Sequence, residues 1–430
     1  MEENKSEEIM NLTETKKNIS KTKFLSKSKL LKNKFKKLSI SGARKKGQKI
    51  VEIIQQNNKY ENIPKIIKIR NTGVDVIRII AMYSVVIHHL IYQFNGIKKY
   101  SKYERQIKIF DHALFWHING FALISGIVGY KTNKYSNLFY LWLEIVFYRI
   151  SIYFYFYKTK HISNINLSEE YFPIIYRKHW YFTAYFGMYL YLPIINKGIS
   201  LISKSEFKLV VASTIGIFSI WKKLKNPKND IFILCGGSSV FWLLIVYIIG
   251  AYIGIYKVEY SGIKKYIFCL VCLFIYLVST FIYYKLENKQ LYNGKKNILN
   301  KLIIILSQLF SGSYDSLIRI VQAISLTLFF LQINFNKYLS IIISFIGRFS
   351  FSVYLLHYNN LIVDNIMKNV FNKEPNNLTL ISVIKLILFK SLKIFFICIL
   401  VDYLRHLLFN ILRIRKLCIL FEKIAFKIFG

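Results

Sequence analysis

One arginine and two histidines stand inside the apolar run 74–93, VDVIRIIAMYSVVIHHLIYQ. A helix turns about 100° and rises about 1.5 Å per residue, so Arg78 and His89, eleven apart, return to nearly one face about 16 Å along the axis. His88 points about a quarter-turn away from that shared face. Ionisable groups at membrane depth are costly and by default mark a pathway or a reaction site. An imidazole titrates near neutrality and can take or give a proton, whereas a guanidinium stays charged and meets anions. A plainer assignment also fits, with Arg78 an interfacial anchor and His89 beside the far headgroups. Spacing alone leaves both open.

The elements that must hold these residues are membrane helices. The chain is 54% apolar and 17% aromatic yet carries a net charge of +39, a combination natural to a polytopic membrane protein with basic loops. The fold class expected is all-α, a bundle of about ten transmembrane helices near 74–93, 109–130, 137–157, 178–197, 207–221, 238–256, 264–284, 315–335, 339–358 and 380–411. The fifth is short, and LNKLIIILSQLF near 299–310 is too short to span and suits an interfacial or re-entrant place. No repeat relates the two halves, so the inverted-repeat signature of many transporters is missing.

Residues 1–70 form a separate basic region with no apolar run long enough to span and no signal-peptide pattern. Within it, FLSKSKLLKNKFKKLSI suits either an amphipathic helix on an anionic leaflet or a solvated disordered tail. So many positive charges before the first span place the N-terminus in the cytoplasm, and ten spans return the basic tail 412–430 to the same side. The division is thus 1–70 tail, 71–411 membrane domain and 412–430 tail. Cys269 and Cys272 have C-x-x-C spacing but sit inside an apolar span, where they read as small apolar fillers. No metal site and no specific nucleic-acid partner is indicated.

Several segments together resemble the membrane acyltransferase-3 family. GVDVIRIIAMYSVVIHH is similar to its first helix, with Arg78 and His89 in the signature spacing of an arginine, ten residues, then a histidine. HINGFALISGIVGYK resembles the second helix, ending in a Ser125–Gly126 step. LWLEIVFY, HWYFTAYFGMYLYLPIIN and VYIIGAYIGIY resemble later helices of the branch that O-acylates polysaccharides and other glycans, and SFSVYLLHYNN supplies His357 in the place of a late histidine. The likeness runs in order from about residue 72 to about 365. It departs where relatives carry an Arg-x-x-Arg pair, since this chain has Lys131 and Lys134 there, without the bidentate fork of arginine. No hydrolase-like domain is appended, so activity is expected within the membrane portion.

The resemblance implies transfer of an acyl group, acetyl above all, from acyl-CoA as co-substrate to a carbohydrate hydroxyl. It makes His89 the general base and gives Arg78, Lys131, Lys134, Ser125 and Gly126 to the donor. It places Trp180, Tyr185 and His357 with the acceptor. A transporter or flippase of an anionic or glycolipid substrate, built on the same helices, is the rival. The partners expected are an acyl-CoA donor, a carbohydrate acceptor and the bilayer, with anionic lipids met by the N-terminal tail.

Other polar residues suit structural roles. Asp315 and Arg319, four apart, are expected to pair with each other. Gly250 and Gly254 form a small-residue packing motif. Glu144 lies mid-span and needs a partner that the sequence does not name. If the orientation is right, cysteines introduced in residues 1–70 and after residue 412 react with an impermeant thiol reagent only once the membrane is opened. Labelling of the N-terminal tail from outside would reverse the placement of Arg78.

Overall fold

The computed structural model describes residues 71–131, 134–160, 167–222, 230–289 and 312–429. The expectations for the 1–70 tail and for 299–310 lie outside these residues. The described chain is helical, and its twelve longer helices are α1 (Thr72–Tyr92), α2 (Glu104–Leu114), α3 (His117–Gly129), α4 (Tyr135–Lys160), α5 (Trp180–Leu201), α6 (Lys204–Ile215), α7 (Val240–Tyr256), α8 (Gly262–Lys289), α9 (Leu317–Leu331), α10 (Lys337–His357), α11 (Leu380–Ile411) and α12 (Ile414–Phe429).

All ten segments expected to span are helical. Among the described residues, five stretches are long and apolar enough to cross a membrane: Thr72–Tyr92, Ser101–Gly129, Tyr135–Lys160, Gly262–Ile282 and Lys337–His357. α7 and α9 are apolar but shorter. α5 carries Pro193, and α11 carries Lys385, Lys390, Lys393, Asp402 and Arg405, which dilutes their apolar runs. In lipid every backbone polar group must be satisfied internally, and short polar side chains do this at the helix starts. Asn71 accepts from the Gly73 amide at 2.9 Å, and Asn336 from the Leu339 amide at 2.8 Å. Ser203 and Glu206 close a reciprocal capping box on α6.

α1 sits at the centre, touching α3, α9, α10 and α11. It runs parallel to α10, for its start meets Ser344 and Gly347 while its end meets His357. α3 and α7 approach most closely, as the glycine motif anticipated. A Cβ on Gly126 would come within 2.0 Å of the Tyr247 carbonyl oxygen, and one on Gly250 within 2.2 Å of that of Leu123. α8 lies outermost, with Ile263, Tyr266, Ile267, Leu270, Phe274 and Phe281 exposed as a lipid-facing surface should be. The tail after residue 412 is not merely a basic extension. Its helix α12 lies against the start of α4, with Phe421 stacked on Phe139 at 4.7 Å.

The charges of α4 and α11 settle Glu144. Arg405 reaches its carboxylate at 3.3 Å, donates to Asp402 at 2.8 Å through Nε and to the Tyr140 hydroxyl at 2.8 Å, and Tyr148 donates to Asp402. All three charged residues are buried. Cys272 is buried and Cys269 partly so, within the outer helix α8. Gly250→Val should lower thermal stability by about 2 kcal/mol, the usual scale of overpacking, whereas Gly198→Ala, with nothing within 4 Å of its Cβ, should be neutral or better. Unfolding scans in detergent give the comparison, and equal stability of the two variants would deny the close α3–α7 contact.

Candidate active site

The last turn of α1, the start of α3, the start of α5 and the end of α10 enclose a cavity of about 240 Å³. Its lining includes His88, His89, His117, Trp180, Tyr181, Tyr314, Tyr354 and Tyr358. Imidazoles from two helices and a wall of aromatic rings thus meet at one end of the bundle.

Hydrogen bonding fixes the tautomer of the central histidine. His357 is fully buried, and its Nδ1 faces the Val353 carbonyl one turn back along α10. A carbonyl only accepts, so that nitrogen carries the proton, which leaves Nε2 of the neutral ring as an acceptor. His89 Nδ1 lies 2.8 Å from it and must therefore donate. The remaining nitrogen of His89, Nε2, keeps its lone pair on a ring that lines the cavity and stacks on Tyr358 at 4.3 Å between centroids. A free lone pair at a cavity wall, with the opposite N–H oriented by a second residue, is the arrangement of a general base.

His88 does not stand clear of the cavity, as its angular offset suggested; it lines it too. Its Nδ1 is 2.9 and 3.1 Å from the two carboxylate oxygens of Asp111, a residue of α2 that is almost wholly buried. The segment after Asp111 is clamped from α9. Arg319 donates to the His112 carbonyl and to Gln322 at 2.9 Å, lies 2.6 Å from His112 Nδ1, and covers the Phe115 ring at 5.1 Å. The ion pairing expected within Asp315–Arg319 gives way to these bonds, and Asp315 bonds to Lys222 at 3.1 Å and Ser313 at 2.6 Å. The cause is burial: Arg319 at 0% exposure needs acceptors for a whole guanidinium fork. Tyr314 is set in the wall by Asn119, which donates to its carbonyl at 2.8 Å and accepts from the Trp242 indole at 2.9 Å.

The residues assigned to a donor collect at the other end. Arg78 pairs with buried Asp75 at 2.9 Å, and Ser344 donates to the same carboxylate at 3.0 Å. Tyr185 lies within hydrogen-bonding reach of Ser125 and within the field of Arg78. It therefore lies beside Ser125 and Arg78, whereas Trp180 lines the cavity. Ser125 donates to the Phe121 carbonyl at 2.9 Å. Gly126 is turned into the α3–α7 contact. Lys131 lies over the Tyr130 ring at 5.2 Å, and the Lys134 carbonyl accepts from Tyr189 at 2.8 Å, so their connection continues from the Ser125 end of α3. His357 lies behind His89 and is not among the cavity-lining residues.

One helical turn, about 5.4 Å, separates these two groups on three helices at once. Met82, Phe121 and Tyr181 line the cavity; Arg78 stands four residues before the first, and Ser125 and Tyr185 stand four residues after the other two. Three residues were missed from the sequence. Asp111 and His117 gave no pattern of their own, and Tyr314 lies in a loop far along the chain. The HH pair at 88–89 was the available signal for the first of them, since two adjacent intramembrane imidazoles call for separate partners.

The fold is that of a helical membrane protein, with several helices long and apolar enough to span and a cavity lined by three histidines. Residues 71–402 match the acyltransferase domain of acyltransferase family 3, and the chain belongs to that family of membrane acyltransferases. Neither a curated protein nor a solved structure matches it. Acyl transfer tests the tautomer. His357→Leu, which removes the acceptor for His89 Nδ1–H, should lower kcat by about tenfold or more, while His357→Gln, whose amide oxygen can accept, should recover much of it. Nitrogen chemical shifts of His89 should show the Nδ1–H form in the wild type alone or in the Gln variant. A Leu variant with unchanged kcat would remove His357 from the reaction.

Proposed function

We propose that the protein is a membrane O-acyltransferase that moves an acyl group, acetyl in the simplest case, from acyl-CoA to a hydroxyl of a glycan or other carbohydrate. The observation that carries this reading is the lone pair of His89 Nε2, held at the cavity wall by the chain of bonds through His357 to Val353. That nitrogen takes the proton of the acceptor hydroxyl as the oxygen attacks the thioester carbonyl. The carbon–sulfur bond then breaks, and the imidazolium returns its proton to the departing thiolate, leaving an ester and free CoA.

The Arg78 end suits the donor's phosphates, with Lys131 and Lys134 beyond it, since all three side chains are cationic. An extended pantetheine arm is long enough to bridge the rise of about 16 Å from Arg78 to His89. The donor then arrives from the face of the N-terminal tail, the cytoplasm, and the acceptor from the opposite face. The aromatic wall of Trp180 and Tyr314 serves the acceptor end.

Purified protein in liposomes, with acetyl-CoA confined to one side, tests the scheme. CoA release and acylated acceptor should require donor on the side of the N-terminal tail. Arg78→Ala should raise KM for the donor, and His89→Ala should lower kcat by about two orders of magnitude or more at saturating donor. Acceptor that crosses unmodified, with no CoA released, would replace the transferase with a transporter.

A further inference from the structure

His117 opens α3 with 1% of its surface exposed, and neither ring nitrogen has a hydrogen-bond partner among the described residues. A buried polar group without a partner costs of order 1–3 kcal/mol, and this ring carries two. It lines the same cavity as His88 and His89. Around it stand Phe115 at 5.5 Å and Tyr314 at 5.8 Å, both edge-on, and His88 at 5.8 Å. The ring is thus fixed by packing, with its hydrogen-bonding capacity unspent.

The rings beside it form a stack. Phe115 and Tyr314 are stacked at 4.4 Å with 6° between planes, and Trp180 lies 6.2 Å from Tyr314 at 26°. Tyr314 and Trp180 line the cavity. Aromatic residues in a cavity wall supply apolar contact to a saturated ring, while a few placed polar groups fix its orientation. A neutral imidazole offers one donor and one acceptor, which is the complement of a hydroxyl group.

From this we infer that His117 is a specificity-determining residue of the acceptor site, hydrogen-bonding the ring hydroxyls of a pyranose held against Trp180 and Tyr314. The inference rests on the transferase reading only for the word acceptor; the binding itself does not need it. His89 acts on the hydroxyl that reacts, and His117 holds hydroxyls that do not.

The test uses the full chain in nanodiscs with methyl β-D-glucopyranoside, methyl β-D-galactopyranoside and methyl N-acetyl-β-D-glucosaminide as probes. Binding is read by saturation-transfer NMR and Trp fluorescence. His117→Leu should weaken binding of the pyranosides that the wild type holds by about tenfold, the worth of one to two hydrogen bonds. His117→Gln, with one donor and one acceptor side, should stay within about threefold. Acetyl-CoA affinity should be the same in all three, which also shows that the Leu variant is folded. Equal pyranoside affinity in the Leu variant and the wild type would overturn the assignment, as would a wild type that binds none of the three. Pyranoside binding lost in the Leu variant of a protein that releases no CoA would sink the transferase and leave the His117 site standing. CoA release with pyranoside affinity untouched by the substitution would do the reverse.

Discussion

A polar group inside a bilayer has no water to fall back on, and the arrangement around α1 follows from that constraint. This one helix carries Asp75, Arg78, His88 and His89. Asp75, His88 and His89 are answered from other helices, and Arg78 from its own. Ser344 of α10 bonds Asp75, which in turn holds Arg78. Asp111 of α2 holds His88, and His357 of α10 holds His89. A helix whose polar side chains face several directions cannot lie at the edge of a bundle. Its central position between α3, α9, α10 and α11 is the packing that satisfies all of them together.

The cavity walls are held in place for related reasons. Its walls come from helix ends, where backbone groups are unsatisfied and irregular chain is tolerated only if protein groups cap it. The short α2–α3 connection is held by Arg319 through the His112 carbonyl and by Tyr276, which donates to the Ala113 carbonyl at 2.7 Å. Tyr314 is held through Asn119 and Trp242. None of Arg319, Tyr276, Asn119 and Trp242 lines the cavity, yet they set where the aromatic rings stand. Arg319 in particular trades a nearby carboxylate for a role as a buried clamp.

The relative depths of Arg78 and His89 were legible in the sequence because helical arithmetic needs only one chain segment. The eleven-residue interval between Arg78 and His89 places them at two depths whatever surrounds them. The glycines at 250 and 254 likewise announce a close approach, although not to which helix; the answer, α3, came from Gly126 meeting the same backbone. What stayed hidden depends on pairings across long separations. Nothing local joins His89 to His357, 268 residues away, or Glu144 to Arg405. His117 was hidden for the opposite reason. Its significance lies in partners it lacks, and a sequence does not show an unsatisfied nitrogen. Five of the ten expected spans meet the length and apolarity of a crossing among the described residues, and lysines and a proline dilute α11 and α5, because apolar length and helical length are not the same quantity.

The cluster of Glu144, Asp402 and Arg405 has a consequence for how the protein is made. α4 leaves the ribosome some 260 residues ahead of the arginine that answers its glutamate. Through that interval the carboxyl must stay protonated, hydrated at the insertion machinery, or lent to another partner, because a bare carboxylate in lipid is prohibitively costly. Arrival of α11 resolves this, and the pairing closes the bundle between its early and late halves. A chain ended before residue 405 would be left with a polar flaw at membrane depth, the kind of mark by which quality control distinguishes an unfinished membrane protein from a completed one.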